Sequence, residues 1–122
     1  MSYIARNYAD QKDLVGNGQC VTLVKEFSNA PAASLWSEGE KAVDLVKTGR
    51  IASGTVIATF VKGRYPNHAH GNHAAIFVKA IPGGIVVFDQ WRTHKPVERI
   101  IRFGRPAGVG AAQRPELYSV VE

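Results

Sequence analysis

Cys20, His73 and Asp89 are the residues of this chain whose types and order could do chemistry together. A thiol is a weak nucleophile until it loses its proton, and near neutral pH it needs help to do so. A helix start supplies part of that help, because its unpaired N–H groups and positive dipole end favour a negative charge. An imidazole within reach takes the proton, and a carboxylate behind the imidazole fixes its tautomer and orientation. The chemistry open to such a trio is acyl transfer, with backbone N–H groups at the helix start available to an oxyanion.

The elements that would position these groups follow from the pattern of apolar residues. Gly16, Asn17 and Gly18 form a turn cluster. From Gln19 onward Val21, Val24 and Phe27 recur at helical spacing, with Cys20 and Leu23 one position off. The helix must end by Asn29 or Ala30, because Pro31 disfavours helix at the residue before it. Cys20 then sits in the first turn, with Asn17 or Gly18 in the cap region. Trp36, Val43, Leu45 and Val46 predict a second helix over residues 35–47, capped by Ser34 or Ser37 and closed at Thr48 and Gly49.

Beyond residue 50 the period changes to that of strands: 55–61, 73–78, 85–91, 97–103 and 117–121. Residues 62–72 read as a polar loop, 82–84 as a turn, and 104–115 as a loop rich in Gly, Pro and Ala. Helices followed by antiparallel strands imply an α+β fold with the helices packed on one face of the sheet. No boundary divides the chain, so residues 1–122 form one domain with a polar arm over 1–13.

A turn at Pro82 and Gly83 brings strand 85–91 back antiparallel to strand 73–78. Tight pairing sets Asp89 opposite Ile76, and a slightly longer loop moves it opposite His73 or one diagonal step away. A register error of one residue would exchange Asp89 for Gln90, so either can be the third polar residue. Asn17, Gln19 and Gln90 are the neighbouring polar candidates for substrate or oxyanion contact. Trp36, Tyr65 and Trp91 either line a crevice or belong to the core.

Each residue has a plainer reading. A lone cysteine is often a buried apolar group, and a strand histidine or carboxylate is often structural. His68, His70 and His73 also have a spacing met in metal sites, although the stretch is a loop and no H-E-x-x-H helix is present. These alternatives stay open at the level of residues alone: a cysteine hydrolase, a metal-dependent hydrolase using the histidines, or a binding module without catalysis.

Composition narrows the setting. With 122 residues and 45% hydrophobic residues, the chain can bury one modest core. A single cysteine permits no internal disulfide and no cysteine-based zinc site. The net charge of +5 favours an anionic partner, but the basic residues are scattered and not interleaved with aromatics, which argues against nucleic acid. No apolar stretch is long enough for a transmembrane segment, and the first residues carry no secretory h-region. A cytoplasmic origin is therefore expected, and export would need a route that reads no such signal. No cofactor is called for.

Three motifs, in order, carry a family resemblance. GNGQCVTLVKEF resembles the nucleophile helix of CHAP domains, the cysteine, histidine-dependent amidohydrolases/peptidases. The stretch IASGTVIA is similar to that family's first core strand, with Thr55 at the common Asp position. GNHAAIFV is similar to its histidine strand, with Asn72 between glycine and histidine, and FDQW to the strand bearing the third polar residue. The resemblance implies a papain-like fold close to the NlpC-type peptidases, and hydrolysis of amide bonds in peptidoglycan stem peptides or cross-bridges. It assigns Cys20 as nucleophile, His73 as acid and base, and Asp89 as the residue orienting His73. Small size, basic charge and the lack of a signal peptide further resemble stand-alone amidase effectors of type VI secretion. Such effectors act on the wall of a neighbouring cell and are paired with an immunity protein.

Overall fold

The computed structural model describes residues 2–66, 68, 71–106 and 108–122. Helix α1 spans Cys20–Ser28 and ends on Asn29 in the left-handed conformation, whose N–H donates to Lys25 O. A 3-10 turn at Ala33–Leu35 leads into strand β1, Glu38–Lys41, and helix α2, Ala42–Lys47. Strands β2 (Val56–Thr59), β3 (Ala74–Ile81), β4 (Gly84–Trp91) and β5 (His94–Arg102) follow. Two 3-10 turns, Ala111–Gln113 and Pro115–Leu117, precede β6 (Tyr118–Val121).

The six strands form one antiparallel sheet in the order β1-β6-β2-β3-β4-β5. The last strand does not close an edge; it inserts between the first two. At the other side β3, β4 and β5 form a meander, with Gly83 supplying the positive φ of 83° that the β3–β4 turn requires.

The two helices lie on opposite faces of the sheet, not on one as expected. Leu23 and Val24 of α1 join a cluster with Trp36, Val56, Ala58, Ala74, Ile76 and Phe88. Ala42 and Leu45 of α2 join a second cluster with the alternate strand residues Ile57, Ala75, Phe77, Val87 and Tyr118. Each central strand is thus covered on both sides, which accounts for the unbroken burial of β2 and β6.

The helix expected over 35–47 is realised only in its second half. Ser37 and Glu122 exchange backbone hydrogen bonds of 2.6 and 2.9 Å, which commits the chain ahead of residue 38 to pairing with β6. At Gly39 a Cβ would fall 2.9 Å from the carbonyl oxygen of Val120, a close approach that needs a residue without a side chain. Trp36, counted among possible crevice residues, is fully buried, and its Nε1–H donates to Pro31 O at 2.9 Å. No helix among the described residues is long and apolar enough to cross a membrane.

Candidate active site

The start of α1 is held by three devices. Gln19 is the extended residue before the helix, and its carbonyl accepts from the N–H groups of Thr22 and Leu23. Asn17 Oδ1 accepts from the Gln19 N–H at 3.1 Å and from Thr22 Oγ1 at 2.6 Å. The fully buried carboxamide of Gln90 then ties this loop to β4. Its Oε1 accepts from Val15 N–H at 2.9 Å, and its Nε2 donates to the carbonyls of Val15 (3.1 Å) and Gln19 (2.8 Å). Cys20 is therefore fixed in the first turn by groups reaching it from both chain directions.

His73 stands one residue before β3 and continues that strand's pairing with β2. Its N–H donates to Thr59 Oγ1 at 3.0 Å, and its carbonyl accepts from Thr59 N–H at 3.0 Å. The buried ring sets Nε2 2.7 Å from Oδ2 of Asp89. Asp89, on β4, is wholly shielded from solvent.

A β-bulge makes this encounter possible. Next to the turn Ile81 pairs with Gly84 and Lys79 with Val86, but beyond Val78 the register slips, so that Phe77 pairs with Val87 and Ile76 with Phe88. Continued from the turn without a slip, the ladder would set Asp89 opposite Ile76, on the other face from His73. With Val78 as the extra residue, Asp89 shares a face with Ala75 and reaches His73 one diagonal step along.

Asp89 is also gripped by Arg99 of β5. The Nε–H of Arg99 lies 2.9 Å from Oδ2 and 3.2 Å from Oδ1, and its Nη2 lies 2.8 Å from Oδ2. The same guanidinium donates to Gln113 Oε1 at 3.1 Å and to Ala112 O at 3.4 Å. His94 Nε2 stands 3.7 Å from Oδ1, with its ring stacked on Trp91 at 3.9 Å between centroids.

The titration of these groups follows from their company. Burial pushes the Cys20 thiol up, but the neighbouring His73, together with the Ala74 N–H and the Tyr65 hydroxyl, outweighs it. The thiol ends below its ordinary value. Burial pulls His73 down, while the bond to Asp89 and the proximity of Cys20 raise it, to about 9. Burial raises Asp89, and His73 and then Arg99 hold it below the usual carboxylate range. Tyr65, whose hydroxyl lies 3.7 Å from Cys20 Sγ, is raised by burial and by the neighbouring sulfur. The lowered thiol and raised imidazole together favour a thiolate–imidazolium pair over the neutral pair.

Cys20 and His73 open onto a crevice of about 1050 Å³, whose walls include Gln19, Tyr65, His68, Asn72 and Trp91. Of the residues singled out in the sequence, Cys20, Gln19 and His73 face this crevice and Asp89 lies directly behind His73. Asn17 and Gln90, also singled out for substrate or oxyanion contact, are not among its lining residues. The Asn17 oxygen is taken up by the helix start, and both ends of the Gln90 amide are used on backbone groups. His68 is exposed at the rim, while His70 lies outside the described residues. Among the described residues no three His, Cys, Asp or Glu side chains converge as a metal site.

Sequence reasoning missed Arg99, which it counted among scattered basic residues. Extending the hairpin register one strand further pairs Asp89 with Val97 and puts Arg99 diagonal to Asp89, so the signal was available in principle.

Likeness to known proteins sets this fold and crevice in the class of the amidase effectors. The chain superposes on the solved structure of "Type 6 secretion amidase effector 2 (Tae2)" with a TM-score of 0.84 at 37% identity, covering 98% of this chain and 94% of that one. It belongs to the Dae2 family, "Domesticated amidase effector 2", whose model matches residues 4–118. It is 45% identical over 95 residues to the "Type VI secretion amidase effector 2 protein" of Salmonella typhi, covering 75% of this chain and 69% of the relative. It is 39% identical over 94 residues to "Domesticated amidase effector 2" of Ixodes scapularis, covering 74% of this chain and 62% of that relative's length.

Proposed function

We propose that this protein is a cysteine amidase that hydrolyses amide bonds in the peptides of bacterial peptidoglycan. In this reading the Cys20 thiolate attacks the amide carbonyl carbon, and the carbonyl oxygen takes the negative charge. The N–H groups at the start of α1, that of Cys20 among them, stabilise this oxyanion. The tetrahedral adduct collapses to a thioester as His73 gives its proton to the departing amine. Neutral His73 then takes a proton from water, whose hydroxide cleaves the thioester and restores the thiol. Asp89 holds the ring so that Nε2 faces away from the sulfur and the other nitrogen serves it.

The observation that carries the reading is the line from a helix-start thiol through a buried imidazole to a buried carboxylate, bordering an open crevice. The family name and the amidase names of both relatives support the amide substrate. The order of Cys20, His73 and Asp89 and the helix-plus-sheet framework favour a papain-like, CHAP/NlpC-type descent. The name of the Salmonella typhi relative supports delivery by type VI secretion to the wall of a target cell, where toxicity would call for a cognate immunity protein.

The test is digestion of purified peptidoglycan by the wild type and by Cys20→Ala, with mass spectrometry of the released fragments. The wild type is expected to release peptides with new carboxyl and amino ends, and Cys20→Ala to release none. Equal release by both proteins, or chelator-sensitive release that survives thiol alkylation, would overturn the reading.

A further inference from the structure

Beyond the imidazole it orients, Asp89 binds the guanidinium of Arg99. His73 binds Oδ2, and Arg99 spans both carboxylate oxygens from the next strand while its outer nitrogens hold Gln113 and Ala112. The Arg99 side chain is 14% exposed, and its Cζ lies 5.3 Å from the centre of the Trp91 ring, which in turn meets the His73 ring edge-on at 5.8 Å. A guanidinium so placed is held by partners on two sides, the Asp89 carboxylate and the Ala112–Gln113 turn, and is largely kept from solvent.

We propose that Arg99 is a positioning residue for the Cys20–His73 pair, locking the Asp89 carboxylate plane and tempering the pull of its charge on His73. The physical argument has two parts. A lone carboxylate can rotate about its last bond and present either oxygen, or neither, to the ring. Arg99 spanning both oxygens removes that freedom, and the 111–113 turn anchors the guanidinium from behind.

The second part concerns charge. When His73 is neutral, Asp89 would be a buried anion without a cation if Arg99 were absent. Arg99 makes the neutral-imidazole state affordable, and that is the state that must take a proton from water in the second half of the reaction. Without Arg99 the ring would keep its proton to higher pH. The groups that face Asp89 bear this out as a local balance: His73 at the start of β3, Arg99 and His94 from β5, Tyr118 of β6, and the Cys20–Tyr65 pair beyond His73.

This inference rests on the reading of His73 as the group that handles the Cys20 proton, but its first test does not need turnover. The His73 ring would be titrated by NMR in the full chain carrying isotope-labelled histidine, as wild type, Arg99→Met, Arg99→Lys and Asp89→Asn, each also in the Cys20→Ala background. Arg99→Met is expected to move the His73 midpoint upward by on the order of one pH unit, and Asp89→Asn to move it downward. Arg99→Lys, which keeps the charge and loses the fork, should leave the midpoint nearly in place but lower kcat about tenfold with KM unchanged. A folded Arg99→Met protein whose His73 midpoint stays put or falls would overturn the proposal. If Arg99→Met does not fold, wild-type kcat in Arg99→Lys would overturn it. Midpoints that move as expected in a protein that cleaves no peptidoglycan would sustain the Arg99 inference and sink the hydrolase reading.

Discussion

His73 and Asp89 meet at 2.7 Å only because Val78 is an extra residue in β3. The two residues lie on neighbouring strands of a hairpin, and hairpin register is set at the turn. Followed without interruption, that register points their side chains to opposite faces. One bulged residue restores them to a common face while leaving the turn-proximal pairs intact. It also accounts for the position of Gln90, which is turned to the α1 face and there clamps the loop ahead of Cys20. Two consecutive residues of β4 thus serve the same crevice from opposite sides of the sheet.

The depressed thiol predicts unusual alkylation. Cys20 is expected to react with iodoacetamide at a pH below that needed by an ordinary thiol, because the thiolate is favoured by His73. In His73→Ala the dominant remaining influence is burial, which works the other way. The alkylation rate near pH 7 should fall at least roughly tenfold in that variant. Rate-versus-pH curves for the two proteins check this, and identical curves would show that the imidazole does not govern the sulfur.

Gln90 gives a stability prediction separable from chemistry. Replacing it with Leu leaves the N–H of Val15 and the carbonyls of Val15 and Gln19 short of their buried partner. Losing such hydrogen bonds without replacement costs about 1–3 kcal/mol. Urea denaturation should therefore show a lower midpoint with an unchanged slope. Activity should fall through displacement of the α1 start, although Gln90 does not face the crevice. A variant with wild-type stability would mean that the loop holds Cys20 unaided.

Much of this arrangement was legible from residues alone, and the limits have physical causes. The start and end of α1 follow from Gly18, the apolar spacing of Val21, Val24 and Phe27, and Pro31, all local signals. The β3–β4 hairpin is equally local, set by Pro82, Gly83 and the strand residues around them. The failure at 35–47 is non-local. Its apolar residues fit a helix, but β6, some eighty residues on, supplies backbone partners that a helix would forgo, as the Ser119–Glu38 side-chain bond across 81 positions illustrates. Gly39 was the one local hint. The bulge at Val78 has no composition of its own, so the choice between Asp89 and Gln90 depended on a parity that residue types do not record. Arg99 was hidden among basic residues because its burial is set by strand pairing rather than by sequence neighbours.

The titration of His73 also predicts how stability depends on pH. Its ordinary value is 6.5, and in the folded protein it rises to about 9, so the folded ring holds its proton more tightly than the unfolded one. This contribution to stability is complete below about pH 6.5 and is lost as pH rises through about 9. The difference of about 2.5 pH units sets its ceiling at roughly 3 to 4 kcal/mol. Cys20, lowered in the folded state, acts in the opposite sense: its contribution grows as pH rises from its folded value to its ordinary one, and it offsets the loss from His73 over that window. Asp89, also lowered, contributes stability above the ordinary carboxylate range that disappears as pH falls through its folded value. Wild-type melting temperatures should therefore change little between about pH 6.5 and 9, because the proton that the folded imidazole keeps is matched by the one that the folded thiolate has given up. In Cys20→Ala the thiol's offset is gone while Asp89 still raises the ring, so melting temperatures should decline as pH rises above about 6.5. Asp89→Asn removes the largest favourable influence on the imidazolium, so its melting temperature should lie below wild type at pH 6 and change little from there to pH 9. A Cys20→Ala protein that melts at one temperature across this range would show that His73 gains no proton affinity from Asp89 on folding.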